Sequence, residues 1–163
     1  SAILLTTSEA IAQQTQEEIS RQIDRLQRKS IIEKSLTDFG AIILCKNMEQ
    51  MIGLANRIAP EHLELMVKEP MQYLNEIKNA GSVFCGEYAP EPLGDYLAGT
   101  NHVLPTSGSA RYASPLGVYS FVKKMSYTYY TKEALAVDKD AILTLADKEG
   151  LDAHANSIRV RFE

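Results

Sequence analysis

Gly40-Ala41-Ile42-Ile43-Leu44-Cys45 is a continuous apolar run entered through a glycine and left through Lys46 and Asn47. A run this short, rich in isoleucine and without polar alternation, predicts a strand covered on both faces, as in parallel sheets. The same grammar repeats outward from it. Upstream, Ala2-Ile-Leu-Leu-Thr6 reads as another short strand, and Ser8 with Glu9 opens a helix. Ile11, Thr15, Ile19, Ile23 and Leu26 recur at spacings of four and three, giving that helix one apolar stripe suited to packing on a sheet. A shorter helical piece follows from Ile31 to Leu36. Downstream, Asn47 is placed to cap a helix through about Arg57, with Met48, Met51, Ile52 and Ala55 as its inner face. Pro60 ends that helix, and Leu63 to Val67 reads as a third strand. Pro70 suits the first residue of a short helix reaching Ile77, and Gly81 opens Ser82-Val-Phe-Cys85 as a fourth strand. Strands alternating with helices predict an α/β fold, a partial Rossmann-like parallel sheet with crossover helices. Ligands then gather at the carboxyl ends of the strands.

The pattern breaks after the fourth strand. From Gly86 to Ser114 the chain holds Pro90, Pro92, Gly94, Gly99, Pro105 and Gly108, and long segments of this kind inside a domain are usually functional. Tyr88, Tyr96, Leu97, Val103 and Leu104 can anchor it, while Asp95, Asn101, His102, Thr106 and Ser107 bring polar groups to the expected carboxyl edge of the sheet. Beyond Ser114 the reading is a mostly helical tail. It has a helical pattern from Gly117 to Lys124, a strand from Met125 to Thr131 and a helix from Lys132 to about Glu149. Leu135, Ile142 and Leu145 form the stripe of that helix, Glu149 closes it, and Gly150 caps it. The alternation in Ile158-Arg-Val-Arg-Phe162 predicts an edge strand. Residues 1–114 thus form the α/β part and residues 115–163 the tail. A tail of about 50 residues is below the size that usually folds alone, so it must pack on its own domain or on another subunit.

Bulk properties narrow the class. At 163 residues, 45% hydrophobic and 23% charged, the chain has the composition of one compact globular domain. A net charge of −4 argues against a basic nucleic-acid-binding surface. No apolar stretch approaches the roughly 20 residues that span a bilayer, and no signal peptide is recognisable, so the expectation is a cytoplasmic protein without membrane or nucleic-acid partners. Cys45 and Cys85 show no Cys-x-x-Cys spacing and read as buried free thiols. No Gly-x-Gly-x-x-Gly or phosphate-binding loop is present, so no cofactor-binding residue is expected in this segment.

Glu61 and His62 stand side by side before the third strand. An imidazole titrates near neutral pH and a neighbouring carboxylate can be tuned toward it, so the pair suits general-base chemistry. The plainer alternative is a surface glutamate beside a packed histidine. His62, His102 and His154 are the three histidines. Asp95, His102 and His154 offer oxygen and imidazole donors of the kind zinc takes, at a spacing that matches no short metal motif. No elbow motif supports a serine or cysteine nucleophile.

Three stretches carry a resemblance. Ile58-Ala-Pro-Glu-His-Leu-Glu-Leu65, Gly94-Asp-Tyr-Leu-Ala-Gly-Thr-Asn-His-Val-Leu-Pro-Thr106 and Glu149-Gly-Leu-Asp-Ala-His154 resemble, in order, signature stretches of the histidinol dehydrogenases. Ala80-Gly-Ser-Val-Phe84 and Ser107-Gly-Ser-Ala-Arg-Tyr112 agree with them. The resemblance covers essentially the whole chain but only the carboxyl-terminal part of that family. It implies a zinc-dependent homodimer of histidine biosynthesis that oxidises L-histidinol through L-histidinal to L-histidine, reducing two NAD in succession. Each active site would borrow residues from the partner's exchanged tail.

Carried over by motif, Glu61 and His62 match the catalytic acid/base pair, and His62 also contacts substrate. Asp95 matches a zinc ligand and substrate contact. His154 matches a zinc ligand and substrate contact delivered by the tail of the other subunit. Glu149 and His102 match substrate contacts. The family's glutamine and histidine zinc ligands, three residues apart on a helix, belong just upstream of Ser1, and the NAD-contacting regions are likewise outside this chain. Thr100 stands where the family commonly has proline. The expectation is therefore a carboxyl-terminal fragment, inactive by itself, and Ala2 entering a strand with no lead-in fits a cut through a domain. One rival is a non-catalytic dimerisation or ligand-binding module of the same fold. Another is a metal-dependent hydrolase built on Asp95 and His154, which leaves the linked motifs unexplained.

Overall fold

β1 (Ile3–Thr6) and β2 (Ala41–Leu44) lie parallel, with Ile3 opposite Ala41 and Thr6 opposite Leu44. A parallel pair cannot be closed by a hairpin and needs a crossover. Here it is helical, through α1 (Glu9–Ile23) and α2 (Lys29–Phe39). Ser8 starts α1 as the sequence predicts, its hydroxyl accepting the Ile11 N–H at 3.3 Å, while its own N–H donates to Thr6 Oγ1 at 3.1 Å. These coordinates are a computed structural model describing residues 1–163. They divide into two compact units, Ser1–Phe121 and Val122–Glu163.

The first unit repeats the parallel motif. α3 (Met48–Ile58) is capped by Asn47, whose Oδ1 accepts the Gln50 N–H at 2.9 Å, and it buries Ile52 and Ala55. The chain leaves α3 through Ala59 in the left-handed region, at φ 53, where Pro60 prevents any further helical turn. β3 (His62–Leu65) and β4 (Ser82–Cys85) then pair in parallel, His62 opposite Ser82 and Leu65 opposite Cys85. A 3-10 segment, Pro70–Glu76, carries the crossover. The α/β reading with crossover helices holds, with the strands arranged as two separate parallel pairs.

Asn56, on α3, fixes the far end of that crossover. Its Oδ1 accepts the N–H groups of Lys78 at 2.7 Å and Asn79 at 3.2 Å, and its Nδ2 donates to the Glu76 carbonyl at 2.9 Å. Asn56→Ala should lower unfolding stability by about 1–3 kcal/mol, the loss of several partly exposed hydrogen bonds to backbone. Denaturant melts of the two proteins check it; a change within error would mean that the crossover holds itself in place.

Two sequence expectations fail at the strands and cysteines. β2 is not covered on both faces, since Ile42 is 38% and Leu44 54% exposed. Apolar character records what a strand prefers, whereas cover must come from neighbouring layers, and a two-stranded pair has few. Cys45 is buried as read, but Cys85 is only half-buried; both are free thiols.

The second unit is a helical hairpin of α5 (Lys132–Lys148) and α6 (Asp152–Arg159). Thr131 caps α5, its hydroxyl accepting the Ala134 N–H at 3.2 Å. Gly150, at φ 71, makes the reversal. Ala146 and Ala155 are its buried residues, and their small side chains allow two helices to approach closely. The edge strand read at Ile158–Phe162 does not form. Arg159 instead reaches the Asp147 carboxylate at 3.1 Å, and the Lys139 ammonium lies 4.8 Å from the Phe162 ring centre, so helix-to-helix contacts override five residues of alternation.

Met125 to Thr131 is not a strand either. Its β-branched and aromatic residues have no adjacent strand to complete a ladder, and Tyr127 stays 93% exposed. The helical reading of Gly117 to Lys124 shrinks to a 3-10 turn at Val118–Phe121. Within α5 the inward face is Leu135, Ile142 and Ala146; Leu145 is exposed, and Glu149 is an exposed C-cap rather than the end of a buried stripe.

Candidate active site

Side chains alternate along β3, so His62 and Glu64 share one face, and the register sets Ser82 and Phe84 of β4 beside them. The His62 and Phe84 rings lie 5.9 Å apart between centroids, tilted by 41°. Over this face folds α4 (Glu91–Tyr96), hidden in the sequence inside the long irregular segment. Three features seat it. Pro92 occupies the first turn, where a missing N–H costs nothing. The Glu91 N–H donates to Glu64 Oε1 at 2.9 Å. Gly94 lies flat on Phe84, where a Cβ would come within 2.6 Å of the ring.

This seating brings a carboxylate pair over the imidazole. Glu91 Oε1 lies 3.7 Å and Asp95 Oδ1 4.0 Å from His62 Nε2. All three donor atoms fall within 4.8 Å of one another. His62 Nε2 is buried and makes no hydrogen bond. Glu91 and Asp95 are four residues apart, one turn along the same helical face. Sequence reasoning missed Glu91, although that spacing behind Pro90 and Pro92 was visible.

Partial burial, together with a hydrogen bond and negative charge from Asp95, holds the Glu91 carboxyl above its ordinary range, with His62 pulling the other way. The folded state therefore binds this proton more tightly than the unfolded chain. Its stabilising contribution is complete below the usual glutamate pKa and is lost as pH rises through the raised value. In metal-free protein, Glu91→Gln should raise the melting temperature at pH 7 and leave it unchanged near pH 4. Paired thermal melts test this; a drop at pH 7 would contradict the sign.

The remaining expected residues are placed differently. Glu61 is half-buried, and its carbonyl accepts the Ser82 N–H at 2.9 Å; its side chain is not among the three converging groups. His102 is exposed in the bend beyond α4 and also stays outside the cluster. Glu149 and His154 belong to the second unit, where both are exposed.

The long segment was expected at the carboxyl edge of the strands, and the structure corrects this. Anchored through Glu64, α4 crosses the sheet face, and Pro105 then lies against Gly81 at the amino end of β4, 3.2 Å from where a Cβ would sit. Arg111 goes on to donate to the carbonyls of Arg57 and Gly108.

One imidazole nitrogen without a partner, facing two carboxylates, is a donor set of the type that zinc accepts. It can equally hold a proton or a cationic substrate group. Comparison with known proteins gives the chain a family. The family model described as histidinol dehydrogenase matches residues 1–162.

The chain belongs to the histidinol dehydrogenase family.

It is 60% identical over 162 residues to the histidinol dehydrogenase of Caldanaerobacter subterraneus, a match covering 99% of this chain and 38% of that protein. The Listeria monocytogenes histidinol dehydrogenase is 59% identical over the same length and shares. Among solved structures, the Elizabethkingia anophelis histidinol dehydrogenase superposes with a TM-score of 0.83 at 40% identity, over 98% of this chain and 37% of that one. The chain therefore spans somewhat over a third of the length of these relatives. No helix is long and apolar enough to cross a membrane.

Proposed function

We propose that this chain is the carboxyl-terminal portion of a zinc- and NAD-dependent histidinol dehydrogenase, oxidising L-histidinol through L-histidinal to L-histidine in histidine biosynthesis. The observation that carries the reading is the buried, unpartnered His62 Nε2 set against Asp95 and Glu91, on a chain of this family. Free thiols at Cys45 and Cys85 accord with work in the cytoplasm.

His62 is the base for the first oxidation. Hydride leaves the carbinol carbon as Nε2 takes the hydroxyl proton, and the aldehyde forms. The aldehyde is then hydrated, with Glu61 as the base for the attacking water, and a second hydride leaves to give the carboxylate. When bound, NAD would supply the hydride acceptor for both oxidations; no residue of this chain is assigned a contact with it. Asp95, together with His154 delivered from a second copy by tail exchange, would hold zinc. When bound, zinc would fix the amino and imidazole nitrogens of the substrate and so orient the carbinol carbon. Glu149 and His102 complete the substrate contacts in this reading.

Residues 1–163 supply only part of that machinery, so alone they should form no NADH from histidinol. Joined to the amino-terminal portion that the relatives carry, they should be active. Chelation should then abolish the activity and added zinc restore it. An active isolated chain, or an active full-length protein indifferent to chelation, would overturn the respective part of the proposal.

A further inference from the structure

Glu91 belongs to the converging cluster, yet it has no role in the reaction as proposed. It is the point where three supports of the site meet. Its backbone N–H is held by Glu64 of β3, its carboxylate faces His62 Nε2 at 3.7 Å, and it lies one turn before Asp95 on α4. The donor atoms of Glu91, Asp95 and His62 all lie within 4.8 Å of one another, so the Glu91 carboxylate is placed against both of the other groups. We infer that Glu91 is a positioning residue, whose carboxylate fixes the Asp95 side chain toward the metal and keeps the His62 ring turned toward the substrate. The chemistry requires such a support. A metal-holding carboxylate with one oxygen free to swing holds its metal poorly, and partners of this kind typically set affinity or activity by about 10- to 100-fold.

The inference rests on the proposed function, and its test separates the two. In the full-length protein, Glu91→Gln, Glu91→Asp, Asp95→Asn and His62→Ala are compared for kcat, for KM toward histidinol and NAD, for zinc affinity by competition with a chromophoric chelator, and for melting temperature. Glu91→Gln keeps the size and loses the charge. It should cut kcat and weaken zinc binding, each by about 10- to 100-fold, with KM for NAD unchanged and the melting temperature at pH 7 not lowered. Glu91→Asp should recover part of both losses. A residue serving only the fold would lose activity together with stability.

If Glu91→Gln stays within twofold of the parent in kcat and zinc affinity while Asp95→Asn and His62→Ala are crippled, the inference is wrong and the proposed function stands. If Asp95→Asn and His62→Ala are themselves harmless, the proposed function fails first. A fall in the melting temperature of Glu91→Gln that accounts for its lost activity also overturns the positioning role.

Discussion

Replacing His62 by alanine in the full-length protein should lower kcat for the proposed histidinol oxidation by about 10²- to 10⁴-fold, the range that a positioned general base contributes. The size follows from where the imidazole sits. Nε2 is shielded from solvent and free of any hydrogen bond to the protein, so it is uncommitted and available to take the hydroxyl proton. Alanine also removes the ring that lies beside Phe84, and some loss of packing accompanies the chemical loss. His62→Gln separates the two effects: it fills most of the space and cannot act as a base. Steady-state rates should fall alike for both variants, with only the alanine variant melting earlier. A glutamine variant that retains a tenth or more of the activity would remove His62 from the role of base.

The second large effect comes from a residue with no side chain. Gly94→Ala places a methyl group 2.6 Å from Phe84 Cε1 and 2.8 Å from Cζ. An alanine in a helix is favoured over glycine by about 1 kcal/mol, which works toward stabilisation. Overpacking against an enclosed ring costs about 1–3 kcal/mol. Phe84 is 7% exposed and has little room to swing aside, so the overpacking term wins and the net change is a loss of up to about 2 kcal/mol. Activity falls much further than stability. The methyl group must either lift α4, taking Glu91 and Asp95 away from His62, or push Phe84 toward the imidazole. A misplacement of about 1 Å at such a site can cost about 100-fold in rate. Melting curves and kcat measured on the same preparation test the disproportion; equal small losses in both would show that α4 is not what aligns the cluster.

Much of this molecule was legible in its sequence because its signals are local. Ser8 and Asn47 each cap the helix that they were placed to open. Four short runs became four strands, three of them carrying β-branched residues, while the third, read at Leu63 to Val67, forms instead at His62–Leu65. What failed was nonlocal. The openness of β2 depends on which layers lie against it. The tyrosine-rich run at residues 125–131 has the composition of a strand but no partner strand. Ile158 to Phe162 alternates like an edge strand, yet the pairing of Arg159 with Asp147 keeps it on the helical hairpin.

The site divides along the same line. His62 is legible from its place at the head of the third strand and Asp95 from its motif, while Glu61, read beside His62, keeps its side chain out of the cluster. Glu91 escaped because Pro90, Pro92 and Gly94 disguise a six-residue helix as a loop. The hydrogen bond from its N–H to Glu64 and the close approach of Gly94 to Phe84 hold that helix across the sheet, and no spacing along the chain encodes such contacts.

The most direct test of the account is the stoichiometry of the full-length protein: NADH formed per molecule of histidinol consumed, followed to completion with excess NAD. Oxidation of an alcohol to a carboxylate removes four electrons, so two NADH per histidinol, with histidine as the end product, is the predicted result. One NADH with accumulating aldehyde would contradict the assignment of Glu61 to the second half of the reaction. No NADH from zinc-loaded, folded protein would contradict the catalytic reading altogether.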